Sequence, residues 1–362
     1  MPSPTLVSLY SGCGGLDLGL KRAGFDALAC VEMSHDCCES LRLNRVSSNI
    51  VESGIEEVTS QQILELTKLN VGELDLLAGG PPCPPYSKSR FYRKEKPRAL
   101  QDPAAITLKE YLRVLGDLQP RAFLMENVPG LKYDVHKEAF DLVLRTASDL
   151  GYSVTDSIVN AANYGVPQIR ERLFIVGTRD GVSFEFPTAT HSERSDEDLF
   201  TQPWVTAGNV LADLDTEEAA DDSGHYAGGR FNELLKKVPP GDNYLFFTEQ
   251  RGHAKPVFKW RSRYWSFLLK LSPNKPSWTI QARRSNNMGP FHWRNRILRI
   301  EEIKRLQTFP DDWQLYGKID SQWRQIGNAV PPLLGTVLGN QIVRALKATE
   351  RPRSQRKQVA VG

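Results

Sequence analysis

The sequence predicts an α/β protein, a mostly parallel sheet with helices on both faces, joined by a smaller and less regular domain. Three observations support this. Short, continuous apolar runs such as DLLAG (Asp75–Gly79) and AFLMEN (Ala122–Asn127) recur early in the chain, as expected of strands buried on both faces. Segments with helical spacing alternate with them, which is the order of βαβ units. The alternation then fades after about Phe186 into a stretch rich in Pro, Gly and aromatic residues, the mark of a second domain or a large insertion.

Taken in order, LVSLY (Leu6–Tyr10) is a first strand that ends in the glycine turn SGCGGLDLG (Ser11–Gly19), and LDLGLKRAGF (Leu16–Phe25) is a helix that stops at Gly24. ALACVE (Ala27–Glu32) and HDCCESLRLN (His35–Asn44) repeat the unit. DLLAG and AFLMEN are separated by the helical LKEYLRVLGDL (Leu108–Leu118), and the helix FDLVLRTASDLG (Phe140–Gly151) precedes the strands SVTDSIVN (Ser153–Asn160) and RLFIVGT (Arg172–Thr178). Helical pattern returns in RIEEIKRLQTF (Arg299–Phe309) and PPLLGTVLGNQIVRALK (Pro331–Lys347). The expected division is 1–186 for the sheet domain, 187–276 for the irregular domain, 277–347 for a return to the first, and a polar, disordered tail over 348–362.

Composition narrows the class. The 362 residues are 40% hydrophobic and 25% charged, ordinary for a globular chain. No apolar run reaches the roughly 18 residues a membrane helix needs, and the N-terminus lacks the basic and apolar regions of a signal peptide. Five cysteines without a CxxC pair imply free thiols in a reducing cytoplasm. His35, Cys37 and Cys38 lie close in sequence, but adjacent cysteines rarely share one tetrahedral ion and no second pair completes a site, so no metal is expected. The net charge of +3 is unevenly spread: Glu193–Asp222 holds ten acids and one base, Gly228–Arg299 fifteen bases and three acids. The basic stretch interleaves cations with aromatics in FKWRSRYW (Phe258–Trp265) and FHWRNR (Phe291–Arg296). That mixture suits a phosphate-rich partner with exposed bases, a nucleic acid.

Four sets of residues carry candidate chemistry. The glycine turn lets backbone approach a ligand at a helix N-terminus. Glu32, ending the second strand, can accept hydrogen bonds from ribose hydroxyls. This geometry permits NAD or S-adenosylmethionine, and the turn reads G-x-G-G without full dinucleotide spacing, which argues against NAD. Cys83 sits in PPCPPYS directly after a strand, where ligands bind in open α/β sheets. Four flanking prolines suit a nucleophile held still better than a core filler, and the following SKSRFYRKEKPR, with six bases and one acid, favours a thiolate. Glu126, in MENVPG at the end of the next strand, faces the same edge as a candidate general acid. Arg170 and Arg172, two apart in QIRER, share one side of an extended chain and can form ion pairs or fix the oxygen of a base or phosphate.

YSGCGG, Glu32, PPCPPYS, ENVPG, YGVPQIRERLFIVG and QIGNAVPP occur in that order. Together with RILRIEEIKRLQTFPDDW (Arg296–Trp313), they resemble the DNA (cytosine-5) methyltransferases of bacterial restriction–modification systems over nearly the whole chain except Pro187–Pro276. The resemblance implies a Rossmann-like S-adenosylmethionine-dependent sheet, with Pro187–Pro276 as target-recognition domain. It places Tyr10, Ser11, Gly12, Gly14, Gly15, Glu32, Met33, Ile55, Pro82 and Asn328 around the cofactor. It makes Cys83 the nucleophile that adds to C6 of a flipped-out cytosine, Glu126 the acid at N3 and Arg172 the arginine at O2, with Arg170 beside it. It implies double-stranded DNA as substrate and a companion restriction endonuclease; the oligomeric state is left open by the sequence, with monomeric action as the default expectation. The helix from Pro331 is expected beside the first strand, and the basic loop Lys88–Arg98 over the flipped nucleotide.

Three positions depart from the family pattern. Pro84 replaces the usual Gln after the cysteine. Gly54 stands where an acid near the adenine is expected, with Glu56 or Ser53 as substitutes, and Ala104–Ala105 lacks an expected arginine. Rival readings are a tRNA-modifying relative, a catalytically dead DNA-binding homologue and an NAD dehydrogenase. The separate basic, aromatic segment, the intact Cys83, Glu126 and Arg172 set and the glycine spacing argue against them in turn.

Overall fold

The computed structural model describes residues 2–82, 106–179, 181–194, 200–216, 227–260 and 264–348. Cys83, Pro84, the basic loop, Ala104, Arg261, Arg263 and the tail after Ala348 lie outside the described residues. The chain divides into two compact units, one formed by 1–159, 171–188 and 334–362, the other by 160–170 and 189–333.

The first unit is built on a seven-stranded sheet. Its strands are β1 (Thr5–Leu9), β2 (Asp26–Glu32), β3 (Ile50–Glu52), β4 (Leu76–Gly79), β5 (Ala122–Asn127), β6 (Ser153–Asn160) and β8 (Glu171–Thr178), in spatial order β3-β2-β1-β4-β5-β8-β6. The strands from β3 to β5 are parallel, with Leu6 opposite Leu76 and Leu76 opposite Ala122. β8 lies between β5 and β6 and runs antiparallel to β5. The strand order reverses direction at β1 and β4, whose carboxyl ends flank the crevice where open α/β sheets bind ligands.

Apolar side chains alternate across the sheet. Val7, Leu9, Val31, Leu77, Phe123 and Met125 form one cluster with Ile63 of α3 (Ser60–Thr67), Leu108 to Leu118 of α4 (Ile106–Leu118) and Val143 of α5 (Lys137–Asp149). Leu6, Cys30, Leu76 and Leu124 are equally buried on the alternate positions. Tyr111 fills the first face, and its hydroxyl, buried with it, donates to the carbonyls of Leu77 and Leu124, which answers the cost of burying a polar group. The remaining helices of this unit are α1 (Gly15–Arg22), α2 (His35–Leu43) and α10 (Pro332–Ala348). α10 lies on α1, where a Cβ added to Gly335 would stand 3.2 Å from Gly19 Cα and one added to Gly339 2.7 Å from Ala23 Cβ. The last helix therefore docks on the helix after the first strand, and small residues bring the two backbones close.

The second unit is made of short elements: β7 (Gln168–Ile169) paired with β11 (Ser277–Trp278), β9 (His191–Ser192) paired with β10 (Gln202–Pro203), and helices α6 (Ala207–Leu211), α7 (Asn232–Lys237), α8 (Ile300–Leu306) and α9 (Ile319–Asn328). Residues 277–333 group with this unit. The buried Tyr244 and the half-buried Phe231, Phe258 and Phe267 pack edge to face at 5.2 to 5.8 Å, the favoured geometry for aromatic rings.

Candidate active site

The first strand ends in a turn that three left-handed residues make possible: Tyr10 (φ 56°), Gly12 (φ 55°) and Gly14 (φ 83°), the last being the N-cap of α1. Glycine adopts this conformation without the Cβ clash that other residues meet. Gly12 N–H donates to Glu32 Oε2 at 2.9 Å, and Ser34 N–H to Glu32 Oε1 at 2.8 Å. The carboxylate at the end of β2 is thus locked to the glycine turn by one oxygen and to its own strand exit by the other. Each oxygen retains a further lone pair for an incoming hydroxyl. Beneath the turn, Asp17 is 1% exposed and its Oδ2 has no hydrogen-bond partner among the described residues. Burial pushes its carboxyl up to about 6, opposed by the nearby Ser8 hydroxyl and by its own N–H. Cys13 and Cys30 are buried and their thiols are pushed well up by desolvation, which makes them poor nucleophiles. His35 turns to Glu52, 2.7 Å away, while Cys38 donates to the carbonyl of Glu32.

The other sequence-predicted cofactor residues of this unit lie at the same strand ends. Ser11 and Gly15 belong to the turn and the first residue of α1, and Met33, directly after Glu32, is 73% exposed. Ile55 is buried, and the carbonyls of Ile55 and Val58 accept from Arg113 of α4 at 3.1 and 3.0 Å. A side chain on Gly54 would meet the Glu56 carboxylate at 2.7 to 2.9 Å. The carboxylate therefore fills the space that a residue-54 side chain would occupy, while Ser53 donates its hydroxyl to Glu57 at 2.7 Å. Thr107 binds two of these pieces together. Its carbonyl accepts from the Tyr10 hydroxyl at 2.6 Å, and its own hydroxyl donates to the carbonyl of Pro82 at 3.2 Å. An anchored carboxylate, an exposed thioether beside it and a glycine-rich helix N-terminus fit a nucleoside cofactor with vicinal hydroxyls and an apolar base.

At the next strand ends, Arg172 Nε lies 3.0 Å from Glu126 Oε1, with both side chains largely buried. β5 and β8 are neighbours, so the two residues meet across the antiparallel pair. Gly80, one residue beyond β4, makes the room: a Cβ there would stand 2.9 Å from Glu126 Oε2. Glu126 and Arg172 are thus brought together beside the backbone that leads, three residues on, to Cys83.

Arg170 has a different setting from the one its spacing suggests. It belongs to the second unit, is 1% exposed, and donates to the carbonyls of Gly327, Ile280 and Asn328 at 3.0, 3.4 and 3.5 Å. Asn328 is the last residue of α9. The aromatic–basic stretches also divide. Phe258 is half-buried in the aromatic cluster, whereas Trp260, Tyr264 and Trp265 are exposed. In FHWRNR, Phe291, His292 and Arg296 are buried, Arg296 pairs twice with Glu302 at 2.5 and 2.8 Å, and Arg294 Nε pairs with Asp215 at 2.5 Å. Part of that apparent nucleic-acid signature is thus neutralised within the unit, Arg296 in the interior and Arg294 at the surface, by acids that lie elsewhere in the sequence. Thr107, Arg113, Gly80 and Asp17 escape sequence reasoning for a related reason: their roles are contacts across tens of residues, and no local pattern marks them.

Residues 5–344 match the family of C-5 cytosine-specific DNA methylases. The chain is 39% identical to the Type II methyltransferase M.SacI of Streptomyces achromogenes, over 94% of this chain and 92% of that one. It is 33% identical to the Type II methyltransferase M.NgoFVII of Neisseria gonorrhoeae, over 91% and 83%. Among solved structures, the S. pombe Dnmt2 methyltransferase superposes with a TM-score of 0.63 at 15% identity, over 96% of this chain and 99% of that one, which is a likeness of fold. With its parallel sheet, glycine turn and paired Glu126 and Arg172, the chain belongs to the C-5 cytosine-specific DNA methylases.

Proposed function

We propose that the protein methylates C5 of one cytosine in a specific duplex sequence through a transient covalent bond from Cys83, with S-adenosylmethionine as donor. The observation that carries this reading is the Arg172–Glu126 pair, seated against Gly80 at the strand ends immediately before Cys83. Glu32 would hold the ribose hydroxyls, the glycine turn and Pro82 would line the body of the cofactor, Met33 and Ile55 would flank the adenine, and Asn328 would complete the set. The cofactor supplies an electrophilic methyl group on a sulfonium.

The protein's own residues supply the rest. C5 of cytosine is a poor nucleophile. The Cys83 thiolate forms a bond to C6 while Glu126 delivers a proton to N3 and Arg172 holds O2. The C5–C6 π electrons then reside at C5, which becomes enamine-like and able to take up a methyl group. Loss of the C5 proton to a base, rupture of the S–C6 bond and return of the N3 proton restore the ring and the thiolate. The reacting face of a stacked base is inaccessible, so the nucleotide is flipped out of the duplex. The exposed Trp260, Tyr264, Trp265 and Arg283 of the second unit are the side chains we assign to the DNA. Similarity to Type II methyltransferases supports a role in protecting DNA from a companion restriction endonuclease, and action in the cytoplasm as a monomer is part of the same proposal. Among the described residues no helix is long and apolar enough to cross a membrane.

Bisulfite sequencing of DNA from expressing cells identifies the target. Duplex carrying 5-fluorocytosine at that target then becomes covalently linked to the wild type in the presence of the donor, and not to Cys83→Ala. Absence of a linked species from the wild type, or efficient methylation of tRNA in place of duplex DNA, refutes the reading.

A further inference from the structure

Arg170 stands two residues from Arg172, yet its guanidinium is among the largest fully buried side chains of the protein. Moving a cation out of water costs several kcal/mol unless dipoles or charges replace the solvent. Here the acceptors are the carbonyls of Gly327 and Asn328, the last two residues of α9, and of Ile280. A helix C-terminus presents unsatisfied carbonyls and partial negative charge, so a cation is well placed there.

The surroundings show what the clamp holds. Gln168 accepts from Ile280 N–H at 3.1 Å and donates to the carbonyl of Leu306 at 3.3 Å. Trp323 Nε1 donates to the carbonyl of Gln281, and Gln307 to that of Ile326, each at 2.8 Å. A Cβ on Gly327 would stand 2.6 Å from the Gln281 carbonyl oxygen and 2.7 Å from Ala282 Cα, so these two backbones touch. Three segments remote in sequence, 168–170, 280–282 and 326–328, are held by side-chain donors on main-chain carbonyls, with Arg170 at their junction. One of these segments ends at Asn328, and another runs into Arg283 and Arg284.

We infer that Arg170 is a positioning residue that fixes the Asn328 turn and the Gln281–Arg284 segment in one arrangement, and so governs affinity for DNA without touching the reacting base. The inference rests on the assignment of Arg283 to the DNA given above. Lysine can reach one carbonyl where the planar guanidinium reaches three. With two hydrogen bonds lost, Arg170→Lys weakens duplex DNA by about tenfold.

The test is DNA binding and steady-state kinetics on wild type, Arg170→Lys, Arg170→Gln and Arg172→Ala. Arg170→Lys is expected to raise KM for duplex DNA while kcat at saturation stays within about threefold, and Arg172→Ala to do the opposite. Wild-type DNA affinity in Arg170→Lys and Arg170→Gln, or a loss confined to kcat, overturns the inference. If the wild type itself binds no duplex DNA, the proposed function falls with it.

Discussion

Asp17 offers the most direct test of the electrostatics beneath the glycine turn. Its carboxyl is buried, Oδ2 has no partner among the described residues, and its protonation midpoint is raised from 3.8 to about 6, chiefly by desolvation. Cys30, whose Sγ lies 3.7 Å from Oδ1, and Glu32 are the titratable groups that act on it from β2. For an acid with a raised folded-state pKa, the folded protein binds the extra proton between the two values. Its contribution to stability is therefore greatest below about pH 4 and is lost as pH rises through 6. The upward shift corresponds to about 3 kcal/mol across that window. Asp17→Asn removes the titration. The wild type should accordingly lose about 3 kcal/mol relative to Asp17→Asn between pH 4 and 7, and the difference should level off above pH 7. Denaturant unfolding followed by far-UV circular dichroism is the suitable assay, because all seven tryptophans belong to the second unit and their fluorescence reports the other half of the molecule. A difference curve that is flat from pH 4 to 7, or one that rises with pH in favour of the wild type, refutes the argument.

Other outcomes follow from the site. Glu126→Gln keeps the shape but removes the proton donor, so turnover falls by about a hundredfold or more while S-adenosylhomocysteine binding is unchanged; rapid-quench methylation and calorimetry measure the two. Gly80→Ala drives a methyl group against Glu126 Oε2, and kcat drops by about tenfold or more without a matching loss of cofactor affinity. Glu32→Ala frees the N–H groups of Gly12 and Ser34 and removes the ribose acceptor, which weakens S-adenosylhomocysteine by about ten- to hundredfold in calorimetric titration. Thr107→Val removes the hydroxyl that holds the Pro82 carbonyl; KM for the cofactor rises by a few fold and the thermal midpoint of the first unit, read by circular dichroism, falls by about 1 kcal/mol equivalent.

Much of this protein is legible in the chain itself. Buried strands such as Leu76–Gly79 and Ala122–Asn127 announce themselves through uninterrupted apolar runs, Leu76–Gly79 and Ala122–Met125, and the glycines after Leu9 mark a turn that only a permissive backbone can make. Hydrophobic burial and backbone sterics act over a few residues, so they leave local patterns, and Glu32 and Glu126 show up as the acids at the carboxyl ends of two such apolar runs. Short or remote features escape. β3 is three residues long, too short for periodicity to show. The reversed direction of β8 depends on which strand edge remains open beside β5, which no local pattern encodes.

The tertiary structure alone separated Arg170 from Arg172. An extended chain puts both on one side, but only Arg172 reaches Glu126, and Arg170 is drawn into the C-terminal carbonyls of α9, more than 150 residues further along. In the same way, a basic, aromatic stretch looks like a nucleic-acid surface until its counter-charges are located. Glu302 draws Arg296 of FHWRNR into the interior, while Asp215 neutralises Arg294 at the surface, because a charge belongs to the surface or the core according to the partner that folding brings to it.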